Sequence, residues 1–544
     1  MEGRGRVGRV DWVMAECAYR VSWEETRSCL SEGHGGVEAV RREVESVWSD
    51  PEVLDLIEQE MKTVEGEELL VLRRAKDKLR RAGVLLPHKD KQELQKLRLQ
   101  EERLKSMFGD NLTTTMSVEV QGPDKMVDWA VWAKHVRLPL LTGLSPIKVE
   151  LGGDELRSVL KSAKAARTRQ TVFNVLAEGQ PENLAVLQEL VTVRHRISHL
   201  LGYSSHAEMT ARDSMLESTS SVSQFLAKTQ EKVAAAAAEE LSKLPPNIAP
   251  ADLRFEALQY LERHYNVHLG AYDRYFTLEN VLGGLQLLAW SHFQVTLKEE
   301  EDGADAEQWH SSVTKWVAND AETGRPMGVI YLDLFQRAGK PNYALTCIQS
   351  PAYGEQTAQM VLVTSIDAEK SSLPLAQVKS LFHEFGHCLH MLVGRSKYYA
   401  TAALETPLDL AETPSMLVEQ FAFDPNWLQH YTGMTADEAH KLGQYVDEFS
   451  AETELESVRV SALDQLLHTD PSNFTGRQDH WPSMTSRIHA AELGGRMFAY
   501  EVARAVANNV RTTGMEMSQF RRQVLEIGHP AEPLKLLSQV GLWE

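Results

Sequence analysis

The sequence predicts a mostly α-helical protein with a small β-sheet beside one helix that carries an HExxH motif. Three observations lead there. From about residue 154 to 300 the sequence reads as helix after helix, with apolar residues at helical spacing. Three short runs, 329–334, 344–349 and 360–366, are rich in β-favouring residues and separated by glycine and proline. Directly after them comes Ser380-Leu381-Phe382-His383-Glu384-Phe385-Gly386-His387-Cys388-Leu389-His390, with apolar residues for burial and Gly394 as a stop.

Taken in order, residues 1–48 show little pattern. The opening Met1 to Arg9 is basic but lacks serine, and Asp11 and Glu16 follow, so it makes a poor targeting signal. Gly33-His34-Gly35-Gly36 follows no convincing strand and is not read as a nucleotide loop. Asp50-Pro51-Glu52 offers an N-cap, a first-turn proline and an acidic first turn for a helix. A charged helix from about Lys89 to Phe108 should stop at Gly109, its Lys and Glu runs forming a solvated face. Pro181 to Leu201 reads as a helix ended by Gly202, and Ser218 to Leu244 as one ended by Pro245-Pro246. The acidic stretch Leu297 to Glu307 is expected to be a surface loop. Ser371 or Ser372 would cap the motif helix, with Pro374 in its first turn. After Glu412 the pattern is helical to the end, and no internal repeat is evident.

The composition bounds the partners. A hydrophobic share of 43% and a charged share of 25% are ordinary for a globular chain. A net charge of −20 argues against nucleic acid, which needs basic patches. No apolar run approaches the ~20 residues that span a bilayer, so no membrane partner is expected. Cys17, Cys29, Cys347 and Cys388 show no disulfide-framework spacing, which suits a reducing compartment.

The motif carries the chemistry. His383 and His387, four apart on a helix, lie about 40° apart around its axis and can reach one ion. Glu384 leans toward that ion's open side, where it can take a proton from water. With 19 histidines in 544 residues, a chance HExxH turns up roughly one time in twenty, so a third ligand is needed. The longer pattern HExxHxxGxxH fails, because His390 and Val393 stand at its Gly and His positions. A carboxylate on a following helix is the alternative, with Glu405, Glu412 and Glu419 as candidates that spacing leaves open. Pro414 suggests that a helix begins near Glu412. Cys388 points about 100° away from His387 and His390 about 60° away, so both are read as packing rather than ligands.

His383-Glu384-Phe385-Gly386-His387 followed by Glu412-Thr413-Pro414-Ser415 resembles the thimet oligopeptidase and mitochondrial intermediate peptidase family. Leu392 to Tyr398 and Asp409-Leu410-Ala411-Glu412 look closer to the mitochondrial branch. The resemblance continues through Gly328 to Asp333, Arg337 to Pro341, Leu463-Asp464-Gln465 and Arg194 to Tyr203, and covers most of the chain from about residue 50. It implies one Zn²⁺ per chain, held by His383, His387 and Glu412, with Glu384 as the base. It implies two helical lobes flanking a deep channel that admits short or unfolded peptides. The expected division is a partial, apparently shortened N-terminal helical region at 1–115, a helical wall at 116–300 and a zinc peptidase catalytic region at 301–544. A monomer is expected. If the mitochondrial branch holds, the task is removing N-terminal peptides from imported precursors in the matrix; a cytoplasmic oligopeptidase is the alternative.

The resemblance also points to His489 and Tyr500 as donors to the oxyanion. Asp409 and Glu419 are candidates to orient the histidines through their other ring nitrogens. Here the sequence departs from the family, because Leu493, Met497 and Phe498 occupy tyrosine positions. Losing one such donor costs on the order of 2.7–4 kcal/mol of transition-state stabilisation, so reduced activity or an altered substrate range is expected.

Overall fold

Several helix ends in this chain follow a local cap or breaker, while Gly109 and Pro414 lie inside helices that tertiary burial carries through them. The structure, a computed structural model, describes residues 51–543 apart from 113–114, most of 122–145, 152, 179, 301–308, 339, 341–343, 475–483, 486–487 and 529. The readings made for residues 1–48 and for Asp50 lie outside the described residues. Helix α1 (Pro51–Glu60) begins at its proline, and α2 (Gly66–Arg81) carries Glu67 and Glu68 in its first turn and Arg80 and Arg81 in its last, matching the helix dipole. Helix α3 (His88–Leu112) runs through Gly109 instead of stopping there. Its buried stripe of Leu94, Leu97, Leu104 and Phe108 outweighs one interior glycine, which costs about 1 kcal/mol.

A strand pair then appears that the helical reading missed, β1 (Met116–Val120) antiparallel to β2 (Ile147–Leu151). Helix α4 (Pro181–Leu200) has proline in its first turn and Gly202 beyond its end at φ 86°. Helix α5 (Thr219–Ser242) is capped by the Ser218 hydroxyl, which accepts from the Ser221 N–H, and α6 (Leu278–Phe293) is capped the same way by Thr277.

The sheet before the motif is larger than expected. It has five strands, β3 (Val295–Glu299), β4 (Thr314–Asp320), β5 (Pro326–Phe335), β6 (Leu345–Ser350) and β7 (Ala358–Ile366), in the order β3-β4-β5-β7-β6. Only β5 and β7 run parallel. The expected loop from Leu297 is corrected here, because it begins inside edge strand β3. Val295 and Leu297 face inward there, an alternation that the acidic residues after them hid.

Helix α7 (Leu375–Val393) carries the motif and lies on this sheet, against α6 on another side. Its start is one residue after Pro374, which itself stands at the cap position in place of Ser371 or Ser372; Gly394 ends it, donating to the His390 carbonyl at 2.8 Å. Helix α8 (Leu408–Phe421) begins after Pro407 and encloses Pro414. Glu412 is therefore inside a helix and not at its start. Burial of Leu410, Leu417 and Val418 holds the helix through a proline that removes one ladder bond. Helix α9 (Ser450–Thr469) packs on α5, and α10 (Phe498–Thr512) packs on α8, so α8 lies between α7 and α10.

One core runs through this layer. Phe382, Phe385 and Leu389 of α7, Leu417 and Val418 of α8, and Val502 and Val506 of α10 are buried together. A second cluster joins α3, α4 and α9 through Leu97, Leu187, Leu190, Leu463 and Leu467.

Helices α7 and α8 touch where α7 has no side chain. A Cβ on Gly386 would lie 2.5 Å from the Ser415 Cα and 2.8 Å from the Pro414 oxygen. Backbone cannot move aside as a flexible side chain can. Gly386→Ala should therefore force the helices apart and destabilise the fold by about 1–3 kcal/mol, the usual cost of overpacking. A thermal melt checks this, and a melting temperature equal to that of the parent protein would refute the tight contact.

Candidate metal and catalytic site

The motif helix sets the first two groups. His383 and His387 share a face of α7, with ring centroids 5.1 Å apart and planes at 79°. Glu412 reaches between them from α8, its Oε2 3.4 Å from each Nε2. The three candidate ligand atoms all lie within 4.8 Å of one another. Ser415, one turn on from Glu412, places its Oγ 2.9 Å from the same Oε2.

Behind this set stands Glu419, also from α8. Its Oε2 lies 2.9 Å from His383 Nδ1, and its Oε1 lies 3.0 Å from Lys379 Nζ. Two nitrogens and a carboxylate oxygen facing one point, with one imidazole oriented from behind, fit a zinc ion.

Electrostatics agree with that fit. Burial alone would lower His383, but the Glu412 and Glu419 carboxylates outweigh it and raise the imidazole to about 10. For Glu412 burial pushes the other way, yet His387 and His383 hold it well below the usual carboxylate range. Negative charge thus dominates the point where the ligand atoms converge.

Glu384 is almost buried, and its Oε2 accepts from Thr346 Oγ1 of β6 at 2.8 Å. Tyr500, on α10, is hydrogen-bonded to Glu412; burial first, then the charges of Glu412 and Glu384, raise its phenol. His489 is exposed on the short helix Ile488–Glu492, its ring 5.6 Å from that of Tyr500 and nearly perpendicular to it. The six expected residues therefore form one neighbourhood, with His489 reaching it through Tyr500.

Other candidates fall elsewhere. Glu405 pairs with Lys78 of α2 at 2.7 Å. Asp409 does not orient a histidine through a hydrogen bond of the structure; its Oδ2 accepts the Met215 N–H at 2.8 Å, and its buried Oδ1 has no partner. Its place in the first turn of α8 points it at the loop before α5. Burial, against the pull of the Met215 N–H, raises it to about 7. Cys388 and His390 are packed into the core, as their angles around the helix predict. Burial and then His387 lower His390 to about 3.

The segment between His489 and Tyr500 is held by its backbone. Asp464, fully buried on α9, accepts the Gly495 N–H at 3.0 Å and the Met497 N–H at 3.2 Å. Gln465 and Thr210 donate to the Gly495 carbonyl at 2.7 and 2.8 Å, and His206 Nε2 lies 3.1 Å from the Gly494 carbonyl. A Cβ on Gly494 would stand 2.0 Å from Arg194 Nη1 and 2.6 Å from His468 Nε2, so any larger residue there would have to displace those two side chains. Residue spacing carried no signal for Thr346. Ser415, Asp464 and Gln465 were visible only through family resemblance.

An HExxH helix completed by a glutamate from the next helix is a metallopeptidase donor arrangement. The sequence model of peptidase family M3 matches residues 159–497, and the chain belongs to that family, whose members are metallopeptidases. It is 26% identical over 373 residues to saccharolysin of Saccharomyces cerevisiae, covering 63% of this chain and 50% of that one. It is 25% identical over 422 residues to mitochondrial intermediate peptidase of Homo sapiens, covering 68% of this chain and 58% of that one. The chain thus spans little more than half the length of these curated relatives. Among solved structures, PZ peptidase A with inhibitor 2 shares the fold, with a TM-score of 0.54 at 13% identity over 95% of this chain and 85% of that one.

Two predictions follow from the residues around the ligands. Glu419→Gln should weaken zinc affinity about 10- to 100-fold by loosening His383; competition against a chromophoric chelator measures it, and unchanged affinity would remove Glu419 from that role. Asp409 is an acid raised from its ordinary 3.8 to about 7. Between those values the unfolded chain ionises first, so stability falls as pH rises through the window and levels off above it. Asn cannot ionise and can still accept from Met215. Melts at about pH 5 and about pH 8 should show Asp409→Asn gaining on the parent protein as pH rises; a pH-independent difference would refute the raised value.

Proposed function

We propose that this protein is a zinc-dependent endopeptidase acting on short or unfolded peptides. The observation that carries the reading is the convergence of His383, His387 and Glu412 on one point, with Glu384 beside them. Zinc held by those three residues would polarise the scissile carbonyl and acidify a water molecule. Glu384 takes the proton of that water as its oxygen adds to the carbonyl carbon, then delivers it to the amine as the C–N bond breaks. Tyr500, with His489 against its ring, would swing its phenol O–H from Glu412 to donate a hydrogen bond to the developing oxyanion. Leu493 and Met497 offer no donors, so fewer groups share that task than in the family pattern.

Substrate placement follows from the sheet. Strand β6 stands at its edge and packs against α7, and an extended peptide can join such an edge by backbone hydrogen bonds. The family resemblance supplies the rest of the reading: a deep channel between helical lobes that excludes folded proteins, built from the regions 1–115, 116–300 and 301–544. Among the described residues no helix is long and apolar enough to cross a membrane. The flanks of the motif favour the mitochondrial form of this activity, removal of N-terminal peptides from imported precursors in the matrix. The name of one relative, mitochondrial intermediate peptidase, supports that form, and a general oligopeptidase is the alternative.

A quenched fluorescent peptide library, tested with zinc, with chelator and as Glu384→Gln, decides the central claim. Cleavage should vanish on chelation and fall about 10²–10⁴-fold in the variant, with zinc content near one per chain in both proteins. Zinc binding without cleavage by the parent protein would turn the reading into a zinc-bearing peptide binder, and absence of zinc binding would sink it. Precursor intermediates cleaved in preference to random short peptides would establish the mitochondrial form.

A further inference from the structure

We infer that Thr346, on edge strand β6, is a positioning residue that fixes the Glu384 carboxylate in its reactive orientation. The inference rests on the peptidase reading, in which Glu384 handles the proton. Thr346 Oγ1 lies 2.8 Å from Glu384 Oε2 and 3.0 Å from the Glu384 backbone oxygen. A hydroxyl has one proton to give. The carboxylate is a charged acceptor and the stronger one, and the backbone oxygen already lies inside the hydrogen-bond ladder of α7. The proton therefore goes to the carboxylate, engaging Oε2 and leaving Oε1 for the water.

The hydroxyl is itself well fixed. Thr346 pairs with Leu362 across the antiparallel β6–β7 ladder, and its β-branched side chain is stiff at χ1. Cys388, one helical turn after Glu384, is fully buried in the same core, so the helix face behind the pair is closed by packing. Thr346 also stands on the strand whose edge would take substrate backbone, so docking the peptide and orienting the base depend on one element.

The test compares Thr346→Val, which keeps the branched shape and removes the hydroxyl, with Thr346→Ser, which keeps the hydroxyl. In the zinc-loaded protein Val should lower kcat by about 10- to 100-fold, the cost of a misplaced catalytic group, with KM and zinc content unchanged. Ser should retain most of the parent rate, and Val should add nothing in a Glu384→Gln background. Crystal structures of the parent protein and of Thr346→Val provide a readout that needs no turnover. They should show the Glu384 carboxylate on Thr346 in the first and rotated away in the second. A carboxylate that keeps its place in Thr346→Val, or equal losses in Val and Ser, would overturn the inference. A parent protein that binds zinc and cleaves nothing would overturn the peptidase reading instead, and the two crystal structures would still decide the role of Thr346.

Discussion

The close contact of α7 and α8 at Gly386 is the constraint on which the rest of the site depends. Two helices usually stand 8–10 Å apart, kept there by the side chains between them. Here the backbone of Pro414 and Ser415 fills the space that a Cβ on Gly386 would need. That approach brings Glu412, one turn before Ser415, within 3.4 Å of both imidazoles. Ser415 serves both ends of the arrangement, since its backbone forms the contact and its hydroxyl reaches the Glu412 carboxylate at 2.9 Å. Packing and ligand geometry are thus set by the same few atoms. The flanking sheet and α10 press on this pair from either side through the common core.

Charge explains why so polar a set can be buried there. Three carboxylates, Glu384, Glu412 and Glu419, lie close to two imidazoles, with Glu384 and Glu412 buried and the other side chains partly exposed. Burying carboxylates without opposite charge is costly, so the site favours any cation that enters it. The rise of His383 to about 10 expresses this preference toward a proton. A divalent metal ion competes for the same nitrogen and satisfies the carboxylates better, because it brings two charges to the point where the ligand atoms meet. A metal ion held there would displace that proton, which would couple its affinity to pH.

How much of this was legible in the sequence depended on how local each feature is. The i, i+4 spacing of His383 and His387 fixes their common face by helix geometry alone, and caps such as Ser218 and breakers such as Gly202 mark helix ends nearby. Glu412 could not be chosen over Glu405 and Glu419 by spacing, because the choice is made by how α8 lies on α7. Resemblance to a family supplied it. Pro414 misled the placement of the helix start, since tertiary burial holds α8 through its proline. Strand β3 was hidden because its inward residues, Val295 and Leu297, are followed at once by acids. Thr346 had no local signal at all: it joins Glu384 only because the edge of the sheet is laid against the motif helix.

The glycine passage before Tyr500 shows where the departures at Leu493 and Met497 act. Asp464 binds the backbone N–H groups of Gly495 and Met497, and the Gly494 and Gly495 carbonyls are held by His206, Thr210 and Gln465. None of these bonds involves the side chain at 493 or 497. A tyrosine and a methionine at 497 would therefore be carried on the same backbone course, and Met497 makes use of its place by packing with Leu463 and Leu467 in the second core. The path of the chain to Tyr500 is consequently independent of those two side chains. In the proposed peptidase these two positions therefore supply no hydroxyl donor, a loss that would bear on rate or substrate choice and not on the His383, His387 and Glu412 cluster, which none of the bonds of this passage touches.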